Sequence, residues 1–462
     1  MNERSMAATN APVQRATRSP DGRVDLGSSN AVGRLPRRVE IDGASWFMAT
    51  SSTAASGVHL LSSTCPHQGG RIEDAGRCFE CPNHGWQFKH DSGESINAPG
   101  RRMASIPVVE AGGRLFADLP LSAMAPEGPP SPRPIPRVEG LSITLHAHAC
   151  LEFVYRGSSL LTDPWLDGPA FFGAWTQYPP PVVDVGALTP NAVWISHEHS
   201  DHFHERTLRH FSRNTPVYFP DFPNRRIANR LRELGFVRAR AVPFGTTVEL
   251  NENFRITCHE PGSLWNDSVV LIEIDGFRFL NLNDAGLNHR IARLVAPVDV
   301  LASSFSPGAS GYPLTWTHLS DEQKKDIGER AKQGHLRMLR EAAVLYGAGA
   351  VLPFASHFSL WHPSHERFVK ALPRNTLADV VDAFADAPTP VIDLFPGDSW
   401  NGAEGDIARF VDRSDQPDDV DRQLAYLRRR FNADTFEANH PAQVVPSRHS
   451  IEEYFLRLNN TP

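Results

Sequence analysis

The sequence predicts an α+β multidomain chain, a small all-β domain followed by a larger layered domain in which strands and helices alternate. Three observations predict it. From Val39 onward, short alternating segments such as Trp46-Phe47-Met48 and Val58-His59-Leu60-Leu61, punctuated by Gly and Ser, read as strands. Residues 124–137, Met-Ala-Pro-Glu-Gly-Pro-Pro-Ser-Pro-Arg-Pro-Ile-Pro-Arg, have the composition of a stiff, extended linker. Beyond it, strand and helix patterns alternate irregularly, with His and Asp just past the strand ends.

A chain of 462 residues has room for two to three domains, taking roughly 150 residues per domain. Its net charge of -7 gives no reason to expect nucleic-acid or anionic-membrane binding, while its 20 histidines point to metal. The five cysteines, Cys65, Cys78, Cys81, Cys150 and Cys258, are odd in number and lack framework-like spacing, which argues against a disulfide scaffold and for a reducing compartment. No apolar run approaches the roughly 18 residues of a membrane span, and the N-terminus has no signal-peptide core, so a cytoplasmic protein is expected.

Taken in order, residues 1–35 are Ala-, Ser-, Asn- and Arg-rich and read as a disordered leader. Residues 36–120 form the all-β domain. It contains Cys65-Pro66-His67 and Cys81-Pro82-Asn83-His84-Gly85-Trp86, that is, C-x-H followed by C-x-x-H. Two thiolates and two imidazoles could hold tetrahedral zinc. Two similar loops that each supply one Cys and one His also meet the needs of a Rieske [2Fe-2S] cluster, whose irons carry two Cys and two His respectively. The surroundings, Cys-Pro-His-Gln-Gly-Gly, Cys-Pro-Asn-His-Gly-Trp-Gln-Phe and Asn97-Ala98-Pro99-Gly100, resemble Rieske domains. That resemblance implies Cys65 and Cys81 on one iron, His67 and His84 on the other, and an electron-delivery role. Cys78 lies outside the pattern and reads as a small buried hydrophobe.

After the linker, residues 121–137, the second domain spans 138–400. Strands are expected at 141–145, 152–155, 160–162 and 217–219, a hairpin over 269–281 around Asp275-Gly276, and further strands at 298–303 and 351–355. Helical spacing of apolar residues covers 203–211, 225–234 and 321–345. The motif the domain is built around is His197-Glu198-His199-Ser200-Asp201-His202, directly after Ala192-Val193-Trp194-Ile195. On a strand-to-loop turn, H-x-H-x-D-H gathers three imidazoles and a carboxylate around one small volume, a donor set suited to zinc or iron. Residues 401–462 form a tail with helices around 420–431 and 451–458, the first rich in Arg and read as a solvated face.

The histidine motif and its strand-end placement resemble the metallo-β-lactamase fold, an αββα sandwich with metals at one edge. The two domains together resemble the CMP-N-acetylneuraminate hydroxylase family. The segments that carry this are His148-Ala149-Cys150, Asp163-Pro164-Trp165-Leu166, Ile195-Ser196-His197 through His202, Val242-Pro243-Phe244-Gly245, residues 306–313, Pro353-Phe354-Ala355 and His362-Pro363-Ser364. The resemblance implies a supporting Asp163 and a di-iron centre. One iron takes His197, His199 and either Glu260 or His259. The other takes Asp201, His202 and either His357 or His362, with Asp284 bridging. Asp201, Asp284 and Glu260 are then the catalytic carboxylates. No match extends past Trp400, so the substrate is not carried over.

A dinuclear zinc hydrolase with an accessory redox domain needs no electrons, whereas a di-iron oxygenase must be reduced before it uses O2. The fusion therefore favours a monooxygenase that hydroxylates or N-oxygenates a small polar metabolite. Its electrons would come from an NAD(P)H-dependent reductase, a small carrier such as a ferredoxin or cytochrome b5, or both.

Overall fold

A computed structural model describes residues 14–19, 22–41, 44–67, 70–82, 85–119, 131–261, 266–308, 313–410 and 420–439. His84, most of the Pro-rich linker and the helix expected over 451–458 lie outside the described residues.

In the N-terminal domain an eight-stranded sheet runs Gln14–Arg15, Arg37–Ile41, Ala44–Thr50, Val58–Ser62, Ser105–Ala111, Arg114–Ala117, Val24–Ser28, Thr17–Arg18. Its two end strands are separated only by Ala16, so the sheet closes on itself and leaves no open edge. This corrects the disordered leader. Residues 14–18 and 24–28 are strands, and Val24 and Leu26 are buried with Val39, Leu60 and Leu115. The local composition is polar because only alternate residues face the barrel core. A small three-stranded sheet, Glu73–Asp74, Phe79–Cys81, Trp86–Phe88, packs beside the barrel.

The second domain holds two sheets face to face. One has eight strands, in the order Ala239–Val242, Val217–Pro220, Ala192–Trp194, Ser158–Thr162, Cys150–Tyr155, Leu141–Ala147, Ser399–Asn401, Ile407–Ala408. The other has six, Thr247–Asn251, Phe254–His259, Val269–Ile274, Phe277–Asn283, Val300–Ser304, Ala350–Phe354. Leu145, Phe153 and Trp194 from the first sheet meet Ile256, Phe279 and Leu352 from the second in one core. Helices cover the outer faces. Arg226–Glu233 lies against the first sheet through Ile227 and Leu231, and Asp321–Leu345 against the second through Leu336 and Leu339. The fold is thus the αββα sandwich that the resemblance to the metallo-β-lactamase fold implies.

The hairpin turns at Asp275 and Gly276, both with positive φ (48° and 84°), as a tight two-residue turn requires. The helix Asp321–Leu345 starts at a capping box between Ser320 and Gln323. Three expectations need correction. The helix over 203–211 is only Glu205–Leu208, because the chain there is folded into the histidine loop. The C-terminal boundary at 400 divides a strand pair, Ser399–Asn401 with Ile407–Ala408, that extends the first sheet. The end of the linker is docked, with Arg133 Nε 2.6 Å from the buried Asp299 carboxylate. Of the tail, Val420–Arg430 and Ala433–Asn439 are helices. Among the described residues no helix is long and apolar enough to cross a membrane.

The two domains meet along the helix Asp321–Leu345. Arg330 faces Glu80 at 3.4 Å, Arg337 faces Glu73 at 3.1 Å, and Glu341 pairs with Arg71. Positions 330, 337 and 341 recur at helical spacing, so these three pairs lie on one stripe of the helix. Single exposed ion pairs contribute only about 0–1 kcal/mol, so the docking depends on the set. Reversing two charges together, Arg330→Glu with Arg337→Glu, is expected to separate the domains. Small-angle scattering should then give a larger radius of gyration, and an unchanged radius would show that apolar contacts hold the interface instead.

Candidate metal centre and cluster site

The histidine loop follows the strand Ala192–Trp194, and four other strand ends converge on it. Each turns through a non-glycine residue with positive φ: His148 (35°), Asp163 (37°), Asn283 (51°) and Ala355 (53°). Such conformations cost roughly 1–3 kcal/mol each and recur where a site dictates the backbone.

Asp163 organises the site. Fully buried, its Oδ1 accepts from the Ser196 backbone N–H at 2.7 Å and its Oδ2 from Asn283 Nδ2 at 2.7 Å. Oδ2 also lies 3.2 Å from His202 Nδ1. A proton held on Nδ1 by this carboxylate leaves His202 Nε2 as the donor for a metal. Asn283 reaches Ser196 Oγ at 2.6 Å, and Ser196 Oγ is 2.9 Å from His197 Nδ1, so the first ligand is oriented by the same network.

Two groups of metal-ligating side chains result. His197, His199 and Asp284 form one, and His148, Asp201 and His202 the other, with the ligand atoms of each group within 4.8 Å of one another. The groups adjoin, since His202 Nε2 is 3.6 Å from both Asp201 Oδ2 and Asp284 Oδ2. His202 Nε2 and Asp201 Oδ1 are buried without a hydrogen-bond partner, which is the condition of atoms placed for a cation.

Charge agrees. Burial would raise Asp201, but His202 and His148 hold it down to about 2. Burial likewise opposes ionisation of Asp284, yet His202, His197 and His148 keep it below the usual carboxylate range. Burial would lower His202, and Asp201, Asp163 and Asp284 outweigh it and hold the ring protonated. Burial and the neighbouring His202 and His199 depress His197 far below an ordinary imidazole, leaving it neutral and able to ligate.

The structure thus brings together His197, His199, Asp201, His202 and Asp284 of the expected ligands. The others lie outside both groups. Glu260 is exposed just past the strand Phe254–His259, and His259 is buried. Beside His197 stands instead Asp267, with Oδ1 3.6 Å from His197 Nδ1, its carboxyl pushed well up by burial and by Asp284. His357 is buried beside Phe305 and Phe395. The chain turns at Ala355, whose N–H binds the His148 carbonyl at 2.7 Å, and Phe358–Leu360 then pairs with Trp175–Gln177, carrying His357 past the site. His362 lies 2.8 Å from Ser364 Oγ and 3.2 Å from Glu437. His148 fills the place expected of a late histidine, arriving from the start of the domain. The sequence signal for it was His146-Ala147-His148 at a strand end, and for Asn283 only its position before Asp284.

In the first domain Cys65 and Cys81 are buried in one apolar cluster with Phe47, Leu61, Phe79 and Phe88. The His67 ring stacks on Trp86 at 4.6 Å, and burial pushes it down to about 4, so it is neutral. Two thiols and a neutral imidazole on paired loops fit an iron–sulfur cluster. Among all five cysteines no disulfide is formed.

Residues 24–109 match the Rieske [2Fe-2S] domain family, and residues 142–303 match the beta-lactamase superfamily domain. The chain is a Rieske domain joined to a domain of the β-lactamase superfamily. More particularly, it is similar to the cytidine monophosphate-N-acetylneuraminic acid hydroxylases. The protein of Asterias rubens is 28% identical over 362 residues, which cover 74% of this chain and 54% of that protein. The protein of Cricetulus griseus is 30% identical over 325 residues, 66% of this chain and 57% of that protein. The chain spans little more than half the length of these relatives. The solved structure of CmlA, a diiron beta-hydroxylase from Streptomyces venezuelae, is 17% identical with a TM-score of 0.38, covering 58% of this chain and 55% of that one.

Two outcomes are expected. In His148→Ala the β-lactamase-superfamily domain should lose about one of its metal ions, because ligand donors are not replaceable at a buried site, whereas His357→Ala and His362→Ala retain both. Metal analysis by mass spectrometry decides between them. Loading metal into the stripped protein at neutral pH should release a proton, since His202 must give one up. Titration in a weakly buffered indicator reads this directly, and release should vanish in His202→Ala.

Proposed function

We propose that this chain is an O2-dependent monooxygenase in which electrons received by the Rieske domain are used at a di-iron centre in the second domain. The observation that carries the reading is the joining of two metal sites of unlike purpose in one chain, docked through the helix Asp321–Leu345. When bound, the cluster supplies single electrons and the iron pair supplies O2 reduction. The overall balance is O2, two electrons, two protons and a substrate C–H or N–H giving the hydroxylated or N-oxygenated product and water.

The chain's own residues have definite tasks in this scheme. His197, His199 and Asp284 would hold one iron and His148, Asp201 and His202 the other, with Asp284 within reach of both. Three histidines, two aspartates and a further imidazole form a mixed N/O set that suits iron as well as zinc, and the presence of an electron-delivery domain favours iron. Asp163 and Asn283 fix the ring planes. Asp267, its carboxyl raised by burial and by Asp284, stands 3.6 Å from His197 Nδ1 and can donate a proton to a group bound beside it. On the helix between the domains, Arg330, Arg337 and Glu341 grip the Rieske side while His335 is buried on the side nearer Asp284. Electrons would therefore cross a single helix.

The substrate under this reading is a small polar metabolite. The electron donor is an NAD(P)H-dependent reductase, with or without a ferredoxin- or cytochrome b5-like carrier, and the setting is the cytoplasm.

Protein purified anaerobically should contain about four irons and two acid-labile sulfides per chain, with a Rieske-type paramagnetic resonance after dithionite reduction. About two irons with two zincs, persisting after reconstitution in excess ferrous iron, would reject the oxygenase and leave a zinc hydrolase.

A further inference from the structure

A cavity of about 510 Å³ opens beside the second domain's outer layer, between the segment 356–358, the residues 372–382 and the tail helix Val420–Arg430. Its one cation is Arg374. The guanidinium is fixed on three sides. Nη2 donates to the Ser356 carbonyl at 2.7 Å, Nη1 to the Phe358 carbonyl, and Cζ lies 4.1 Å over the Phe358 ring. Nε is buried with no partner. Among the described residues no carboxylate comes within 4 Å of it. Asp393, which also lines the cavity, faces Arg409 at 3.7 Å, and Asp382 sits at the exposed rim.

A cation enclosed in this way is costly, and burial alone pushes its pKa down to about 10. A protein that needed Arg374 only to tie two carbonyls could have used a neutral amide. The remaining wall is mostly apolar, including Phe305, Phe395, Leu372 and Val369. Volume and wall are those of a small-molecule site, an apolar surface with a few polar side chains, among them Asn375, Thr376 and Gln423 beside Arg374.

We propose that this cavity binds an organic anion, with its carboxylate or phosphate monoester paired to Arg374 and its apolar body against Phe305 and Phe395. The planar guanidinium, with donors still uncommitted, suits either oxyanion. The site and the metal centre share the Phe358 ring as a neighbour. Phe358 carries Arg374 on its ring, stacks on Trp175 at 3.8 Å, and lies 5.8 Å from the ring of His148. Taken with the function proposed above, on which this step rests, the anion is the acid group of the molecule the metal centre acts on. An anion that binds only as an effector has the same chemistry, and the experiment separates the two.

Isothermal titration of the full chain with benzoate and with phenyl phosphate should detect one site, and benzamide, which has the ring without the charge, should bind much more weakly. Arg374→Gln should weaken the preferred anion by about tenfold or more. Because Arg374 also ties two carbonyls, a second variant guards against misfolding. Ala378→Trp plugs the exposed mouth of the cavity, leaves Arg374 in place, and should weaken binding comparably with an unchanged melting temperature. No binding of either anion at millimolar concentration, or equal binding by native protein and both variants, overturns the proposal. In cobalt-loaded protein, a visible-band change on adding the anion identifies a substrate group beside the metal, and binding without that change identifies a separate effector. Neither titration depends on iron or O2, so failure of the oxygenase reading would leave the anion site standing.

Discussion

The second domain depends on one buried carboxylate. Asp163 has no exposure, and in water it would be fully hydrated, so its transfer into the sandwich is tolerable only because Ser196, Asn283 and His202 all turn donors toward it. Those three come from the two different sheets. Ser196 and His202 follow a strand of the first, and Asn283 ends a strand of the second. The carboxylate thus closes the sheets together at one edge and aims the metal-binding rings in the same act. A half-satisfied network of this kind would be worse than an apolar core, which explains why so many polar atoms there are fixed at once.

Other polar atoms of the site are not satisfied by protein. Asp201 Oδ1 and His202 Nε2 lack partners, and the carboxylates Asp163, Asp201 and Asp284 surround a single protonated ring. That imbalance is reduced by cations. The left-handed turns at His148, Asp163 and Asn283 each bring a side chain to the site at the end of a strand, and the one at Ala355 holds the His148 carbonyl through its N–H. The buried charge would couple the stability of this site to any cation bound there.

The long helix Asp321–Leu345 unites the two domains by its period. Its apolar face, with Leu336 and Leu339, belongs to the sandwich, and its charged stripe belongs to the Rieske domain. A helix used on both faces ties the two domains together through one rigid element. The cavity proposed to hold an anion lies behind Phe358, and Asn375 of its lining donates to the Lys332 carbonyl of the same helix.

The sequence by itself determined the chemistry that is local along the chain. C-x-H with C-x-x-H, and H-x-H-x-D-H after an apolar strand, place their ligands by spacing alone, and the hairpin at Asp275-Gly276 and the capped helix 321–345 follow from turn and period rules. Tertiary structure decided what depends on distant strand ends meeting. His148 joins Asp201 and His202 across some fifty residues of chain, while His357 and His362 stay outside both groups, where Phe358–Leu360 pairs with Trp175–Gln177. Glu260 was a reasonable carboxylate by position, yet its strand ends one residue earlier and leaves it in solvent, with Asp267 beside His197 instead. The closing strands at 14–18 were illegible for a related reason. Two-residue strands carry almost no periodicity, and only the barrel they complete makes them strands. Local spacing can fix which atoms are offered to a metal, but which of them arrive is set by the register of sheets whose strands lie far apart in sequence.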